Sequence, residues 1–257
     1  MGFVTTHPYA ALNLLLAMSA GVALAFSPSN QRRPALVSGL LAAPWALTCL
    51  ILTPSYWQPV YLLVRLGVGM EDVAFMFTSG ILSWTLAQCP FERCAGPPDS
   101  TASFLRRALG CWGCGSLLFS VFQLAGWRLM WSVLATMVLL SAALVAVRPD
   151  LRGVSLRGMV RFAVCYPAIL KLVFIASPSF VSHWNRDALL GYYLFGLPVE
   201  EILWAAGFGA VWPTILAFAV EPQSESRASS AGREEWLGVG RRHNPIVRPT
   251  AREEMNG

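Results

Sequence analysis

Long apolar runs fill most of this chain and constrain its fold more than any other feature. Each run is close to the ~20 residues that cross a bilayer core, and in lipid such a segment must be helical to satisfy its own backbone. Only 13% of the residues are charged, against about 25% in soluble domains. The sequence therefore predicts an all-α integral membrane protein with seven transmembrane helices. The predicted spans are residues 9–26, 35–52, 70–88, 108–124, 127–147, 161–177 and 198–220.

The basic residues are distributed unevenly over the loops between these spans. If alternate loops are assigned to opposite sides, 15 of the 19 Lys and Arg residues fall on one side. The other side holds Arg65, Arg128 and Arg186, and Lys171 lies inside a span. Because basic loops stay in the cytoplasm, we expect an outside amino terminus and a cytoplasmic carboxy terminus.

A motif in the third predicted span recurs 129 residues later in the seventh. Residues 67–75 read GVGMEDVAF and residues 196–204 read GLPVEEILW. Upstream, TPSYW at 53–57 resembles SPSF at 177–180, which is followed by Trp184. We interpret residues 1–88 and 127–220 as two three-helix repeats, and residues 89–126 as a connector loop with the fourth helix. Residues 221–257, rich in Ser, Arg, Glu and Gly, are predicted to be a disordered cytoplasmic tail.

Each copy begins its last span with an acidic pair, Glu71-Asp72 or Glu200-Glu201. Four helices lie between equivalent points of the copies, so the copies should be parallel, with both pairs at the non-cytoplasmic level. Acids in a first turn are ordinary helix-starting residues, because they complement the helix dipole. The duplication and the apolar sequence before each pair favour a functional role instead. Neighbouring side chains point ~100° apart on a helix, so one acid of each pair should face a pocket and the other support it.

The two copies together resemble the lycopene cyclase domain family. The resemblance rests on the three-span pattern, on TPSYW followed by GVGMED, and on WNRDALLGYYLFGLPVEE, and it extends over residues 9–220. The most specific part is the PxEE signature at 198–201. The first copy departs from this signature, with Met70 after Gly69 and Asp72 in place of the second glutamate.

The resemblance implies a carotenoid cyclase in a membrane such as the bacterial cell membrane, acting on a hydrophobic polyene without a cofactor. Such an enzyme protonates a terminal C=C bond, a neighbouring double bond attacks the cation, and loss of a proton closes the ring. A carboxyl in an apolar site can stay protonated and serve as the acid. We expect Glu200 to be the leading acid, supported by Glu201, Glu71 and Asp72. Aromatic rings stabilise cations, and the candidates are Trp204, Phe75, Trp184 and Trp57.

Lys171, in the sixth span, is expected either to pair with one of the four acids or to extend its side chain toward the outer interface. The CxxC at Cys111 and Cys114 lies within a predicted span, which favours helix packing over redox chemistry. No cluster has metal-ligand spacing and no glycine fingerprint for a dinucleotide is present, so neither a metal nor a cofactor is predicted. The expected partners are membrane lipid and the polyene, not nucleic acid.

Three other functions compete with a carotenoid cyclase. An intramembrane protease with an EExxxR signature is disfavoured, because Ala205 stands where the arginine should be. A proton-coupled carrier or lipid-binding protein is compatible with a repeat architecture. A cyclase for another isoprenoid would need the same acids.

Overall fold

The computed structural model describes residues 2–53, 55–65, 67–88 and 101–220 of the 257-residue chain. These residues are mostly helical. Seven long helices follow one another in the order α1 (Pro8–Phe26), α2 (Ser29–Ala42), α3 (Met70–Ala87), α4 (Thr101–Leu124), α5 (Leu129–Val147), α6 (Arg152–Ala176) and α7 (Val199–Ala219).

Short elements connect the long helices. Two antiparallel hairpins precede α3 and α7, the first pairing β1 (Val64–Arg65) with β2 (Val68–Gly69) and the second pairing β3 (Tyr193–Leu194) with β4 (Leu197–Pro198). Other short segments are the α-helical turn Phe3–Thr6 and the 3-10 turns Pro149–Leu151, Pro178–His183 and Arg186–Ala188.

The helix that begins as α2 changes its geometry partway along. It becomes a 3-10 helix over Ala43–Thr48 and returns to α-helix over Cys49–Leu52. Pro44 lies in the first turn of the 3-10 segment. A proline has no N–H to donate and its ring crowds the preceding turn, which accounts for the change at this point.

Five helical segments are long and apolar enough to cross a membrane: Pro8–Phe26, Ser29–Leu52, Leu129–Val147, Pro149–Ala176 and Val199–Ala219. The all-α membrane class is thus supported, with five of the seven expected spans meeting this criterion. The other two expected spans are helical, as α3 and α4, but less apolar. Glu71 and Asp72 open α3, and Arg106 and Arg107 lie in the early turns of α4.

Several helices begin before the apolar runs that predicted them. α4 begins at Thr101 rather than 108, and α6 begins at Arg152 rather than 161. Polar residues can extend a helix beyond its apolar portion, so an apolar window marks the lipid-facing stretch rather than the helix end. The predicted tail at 221–257 and the connector loop at 89–100 lie outside the described residues.

Glycines allow two pairs of helices to pack backbone against backbone. Between α2 and α3, a Cβ at Gly80 would lie 2.9 Å from the carbonyl oxygen of Ser38, whose hydroxyl donates to the Gly80 carbonyl at 2.7 Å. Between α6 and α7, a Cβ at Gly158 would lie 2.1 Å from the Gly209 carbonyl oxygen. Small residues at such crossings bring membrane helices into close contact.

Arginines cap the carboxyl ends of several helices. Arg157 of α6 donates to the Ala87 carbonyl at 3.0 Å, Arg161 donates to Leu86 at 2.9 Å, and Arg32 donates to Ala25 at 3.0 Å. These bonds satisfy carbonyls left free at helix ends and place positive charge at the negative pole of each helix dipole. The opposite end of the bundle carries both hairpins and the acidic pairs.

Candidate active site

The two acidic pairs lie at the ends of equivalent hairpins. Val64 pairs with Gly69 in the first hairpin and Tyr193 pairs with Pro198 in the second, a shift of 129 residues at both positions. The turn residues, Gly67 and Gly196, have φ values of 80° and 77°. Glycine adopts this left-handed conformation readily. Each hairpin therefore leads its chain into a helix whose first turn carries two acids.

The first acid of each pair is bonded to the backbone of the preceding loop. Glu71 Oε1 accepts from the Leu62 N–H at 2.5 Å, and Glu200 Oε1 accepts from the Leu190 N–H. The Oε2 atoms of both glutamates are buried without a hydrogen-bond partner among the described residues. These bonds join each loop to its helix.

Asp72, the second acid of the first pair, is completely buried. Its Oδ1 accepts from the Tyr9 hydroxyl at 2.7 Å, and its Oδ2 accepts from the Gly69 N–H at 3.1 Å. Burial, together with hydrogen bonding to Asp72, raises the pKa of the Tyr61 phenol above its ordinary value. Asp72 thus combines a helix-capping bond with phenol partners.

Glu201, the second acid of the second pair, accepts three hydrogen bonds from aromatic side chains. The Tyr166 hydroxyl donates to Oε2 at 2.7 Å, while the Tyr56 hydroxyl and the Trp184 Nε1–H donate to Oε1 at 3.0 and 2.9 Å. Burial raises the pKa of the Tyr56 phenol, and the nearby Glu201 carboxylate raises it further, so this phenol remains a donor. These donors stabilise the ionised form of Glu201.

Two tryptophans bring the loops of the two halves together. Trp57 and Trp184 form an isolated antiparallel bridge, with ring centroids 5.1 Å apart. On either side of the bridge, the Gln58 N–H donates to the His183 carbonyl at 2.6 Å and the Asn185 N–H donates to the Tyr56 carbonyl at 2.8 Å. This pairing positions Tyr56 and Trp184 together beside Glu201.

A second group of rings continues from Glu201 along the inside of α7. Trp204 lies 5.4 Å from Phe75 and 5.3 Å from Tyr166, between ring centroids. It also stacks on Phe208 at 5.2 Å, and Phe208 stacks on Trp212 at 5.8 Å. The spacing of four residues places these three rings of α7 on one face.

These side chains line a cavity of about 420 Å³ inside the bundle. Its walls come from α1, the segment Ala43–Leu52, α3, α4, α5, α6 and α7 together with the Trp57 and Trp184 loops. Among the described residues that line it, Glu201 is the one with an ionisable carboxyl group; the others are aromatic, aliphatic or uncharged polar. The cavity is therefore apolar, with a single acid at one wall, and its volume is in the range of small-molecule sites.

Comparison with known proteins identifies the second half of the chain. The family model described as lycopene cyclase matches residues 127–219. Residues 127–219 thus resemble the lycopene cyclase family. The match runs from the start of α5 to the end of α7 and includes the second hairpin, Glu200 and Glu201. No curated protein and no solved structure matches the chain. The match supports a carotenoid-cyclase type of function in broad terms.

The cavity brings together five of the residues predicted from the sequence. Glu201 and all four candidate aromatics line the cavity, namely Trp57, Phe75, Trp184 and Trp204. Glu200, Glu71 and Asp72 are near it but are not part of its lining. Glu200, predicted as the leading acid, is thus outside the cavity lining, whereas its neighbour Glu201 is part of it.

The Lys171 side chain lies against the second hairpin. A Cβ built on Gly196 would lie 3.2 Å from its Nζ, so the amino group lies against the turn of the second hairpin. Within the described part of the chain, no ion pair joins Lys171 to any of the four acids. The hairpin is at the acidic end of the bundle, and extension of this side chain toward the outer interface stays a prediction.

Three tyrosines of the site were not identified from the sequence. Tyr9 begins an apolar span and Tyr166 lies inside one, where an aromatic residue is unremarkable. Tyr56 stands within the TPSYW motif, directly before Trp57, one of the candidate rings predicted from the sequence. A buried carboxylate needs hydrogen-bond donors, so tyrosines in or next to the apolar spans are the sequence signal for these three residues.

No metal site is found in the parts of the chain that the structure describes. Cys111 is buried and Cys114 exposed on α4, and both are free thiols.

Proposed function

We propose that the protein is a carotenoid cyclase that converts the linear end of a polyene into a ring by proton-initiated isomerisation, without a cofactor. The observation that carries this proposal is Glu201, a buried carboxyl group facing an otherwise uncharged cavity with three aromatic donors aimed at its oxygens. We assign the leading role to Glu201 rather than Glu200, because Glu200 bonds to the loop backbone and does not line the cavity.

The proposed reaction begins with Glu201 protonated, a state that an apolar cavity favours. Its proton passes to the terminal C=C bond of the substrate and leaves a carbocation. The Tyr56, Tyr166 and Trp184 donors stabilise the carboxylate formed in this step, as an oxyanion hole stabilises developing charge. The internal double bond then attacks the cation and forms the ring bond.

The ring cation lies among aromatic faces, including Trp204 and Phe75, which stabilise its positive charge without forming a covalent bond to it. Loss of one substrate proton completes the isomerisation. The substrate gains one proton in the first step and loses one in the last, so the product is an isomer. Two groups can receive the departing proton: the Glu201 carboxylate itself, or Tyr9, which lines the cavity and can pass its own proton to Asp72 over the 2.7 Å hydrogen bond.

We also propose that the two halves are parallel repeats in a bundle of seven spans. The equivalent hairpins, the glycine crossings at Gly80 and Gly209 and the antiparallel Trp57–Trp184 bridge support this arrangement. An antiparallel bridge between equivalent residues is what a two-fold axis between the halves would produce. With the arginine-capped end in the cytoplasm, the acids lie toward the opposite membrane surface.

The test is the pigment profile of a lycopene-producing host that expresses the chain. The unmodified protein should convert lycopene to ring-containing products, and Glu201→Gln should abolish ring formation. Glu200→Gln is the matched control, because an amide oxygen can still accept from the Leu190 N–H, and most activity should remain. Unchanged pigment with the unmodified protein would contradict the function and favour a carrier. Full activity of Glu201→Gln would contradict the site.

A further inference from the structure

The cavity lining is buried around Glu201 and exposed elsewhere. Around Glu201 its lining residues are buried, with Tyr166 2% and Trp184 4% exposed. Elsewhere in the lining, Ile51, Ser116 and Ser120 are exposed. The cavity therefore continues to the surface of the bundle between α4 and the segment Ala43–Leu52.

One side of this opening is the most weakly buried long helix of the bundle. Along its whole length, α4 has three buried residues, Ala108, Cys111 and Gly115. It packs against α5 and α7, and it meets the segment across the gap through the rings of Trp112 and Trp45, whose centroids are 4.8 Å apart. The two tryptophans thus bridge an otherwise open side.

The other side of the opening is the 3-10 segment Ala43–Thr48. Short 3-10 stretches inside long helices have poorer hydrogen-bond geometry and often mark hinges. The corresponding helix of the second half, α6, stays α-helical from Arg152 to Ala176 although it contains Pro167. The irregular segment therefore lies on the half that borders the opening.

We propose that this opening is a side entrance from the membrane, through which a long apolar polyene reaches Glu201 end first. This proposal rests on the proposed cyclase function. One end group occupies the cavity beside Glu201, and the rest of the chain passes between Ile51 and residues 116–120 of α4 into the lipid. The site then recognises a linear end group and not the whole molecule.

Bulky substitutions on α4 test the entrance. Ser116→Trp and Ser120→Trp add volume at the opening, whereas Leu117→Trp and Val121→Trp add it to exposed positions of the same helix outside the cavity lining. In membranes supplied with lycopene, the first two variants should lose roughly tenfold or more of the initial rate of ring formation, because substrate must pass this point to react. The other two should keep the unmodified rate. Equal rates for all four tryptophan variants would overturn the proposal.

A thiol-protection experiment covers the case in which a bulky variant fails to fold. Ser120→Cys and Val121→Cys are each combined with Glu201→Gln, so that bound polyene is not consumed, and maleimide labelling in membranes is followed by mass spectrometry. Lycopene should slow labelling of the new thiol in Ser120→Cys several-fold and leave that in Val121→Cys unchanged. No protection in either variant would overturn the entrance. An unmodified protein that forms no rings would instead remove the cyclase function, whatever the labelling shows.

Discussion

At the scale of single residues, the two members of each acidic pair have different surroundings. Glu71 and Glu200 accept bonds from loop N–H groups, whereas Asp72 and Glu201 accept bonds from phenols. Helix geometry predicts that neighbours point in different directions. It does not predict which neighbour faces the cavity, because that depends on donors such as Tyr56, which is 145 residues away in the chain.

The donors to Glu201 provide a prediction that separates chemistry from folding. Tyr166→Phe removes the hydroxyl that donates to Glu201 Oε2 and keeps the aromatic ring in the core. With the Tyr56 and Trp184 donors still present, we expect a roughly ten- to hundredfold fall in the rate of ring formation in membranes, near the lower end of the loss typical for an oxyanion donor.

The control for Tyr166→Phe is Tyr192→Phe, which changes an exposed tyrosine of the loop before the second hairpin. This variant should keep the unmodified rate, and both proteins should be recovered from membranes at equal levels. If Tyr166→Phe had the unmodified rate, Tyr166 would have no part in stabilising the Glu201 carboxylate.

At the scale of elements, the apolar runs predict where helices lie but not their ends or irregularities. α6 begins nine residues before its predicted span, and the change to 3-10 geometry at Ala43 has no signal beyond Pro44. The hairpins are only two residues per strand, too short for an alternating pattern to reveal. The glycines that allow close helix packing are visible in the sequence, but their partners are set by the three-dimensional crossing.

The crossing of α6 and α7 yields a stability prediction. In Gly158→Ala the new methyl group would meet the Gly209 carbonyl oxygen at 2.1 Å, and backbone cannot move aside as a flexible side chain can. We expect about 1–3 kcal/mol of destabilisation, the usual cost of overpacking. Thermal unfolding in detergent, followed by size-exclusion chromatography, measures it as a lower midpoint.

Gly113→Ala is the matched control for this stability measurement, since a Cβ there has nothing within 4 Å. Its midpoint should equal or slightly exceed that of the unmodified protein, because alanine favours helix over glycine. Equal midpoints for Gly158→Ala and Gly113→Ala would mean that α6 and α7 cross at another place or at a larger distance.

At the scale of the whole molecule, the membrane class follows from composition, while the site depends on contacts between distant parts of the chain. Residues from both halves surround Glu201, and the family match covers only the second half. The charge distribution predicts how the bundle is oriented, and the arginine caps at Ala25 and Ala87 occupy the end expected in the cytoplasm.

Orientation can be tested with reporter fusions. Alkaline phosphatase joined after Gly126, between α4 and α5, should be active because this turn is expected outside the cytoplasm. A green fluorescent protein joined after Val220, at the end of α7, should fluoresce because it stays inside. Two inactive reporters would reverse the topology, whereas one active and one inactive reporter would put both sites on the same side and exclude an odd number of spans between them.

The central claim is that Glu201 delivers a proton to the substrate, and the mass of the product formed in deuterated water tests it most directly. Carboxyl protons exchange with solvent, so membranes containing the unmodified protein should convert lycopene to a product carrying one deuteron for each ring formed. Glu201→Gln membranes should form no ring. Ring products without deuterium, or deuterated rings from Glu201→Gln at the unmodified rate, would contradict the account.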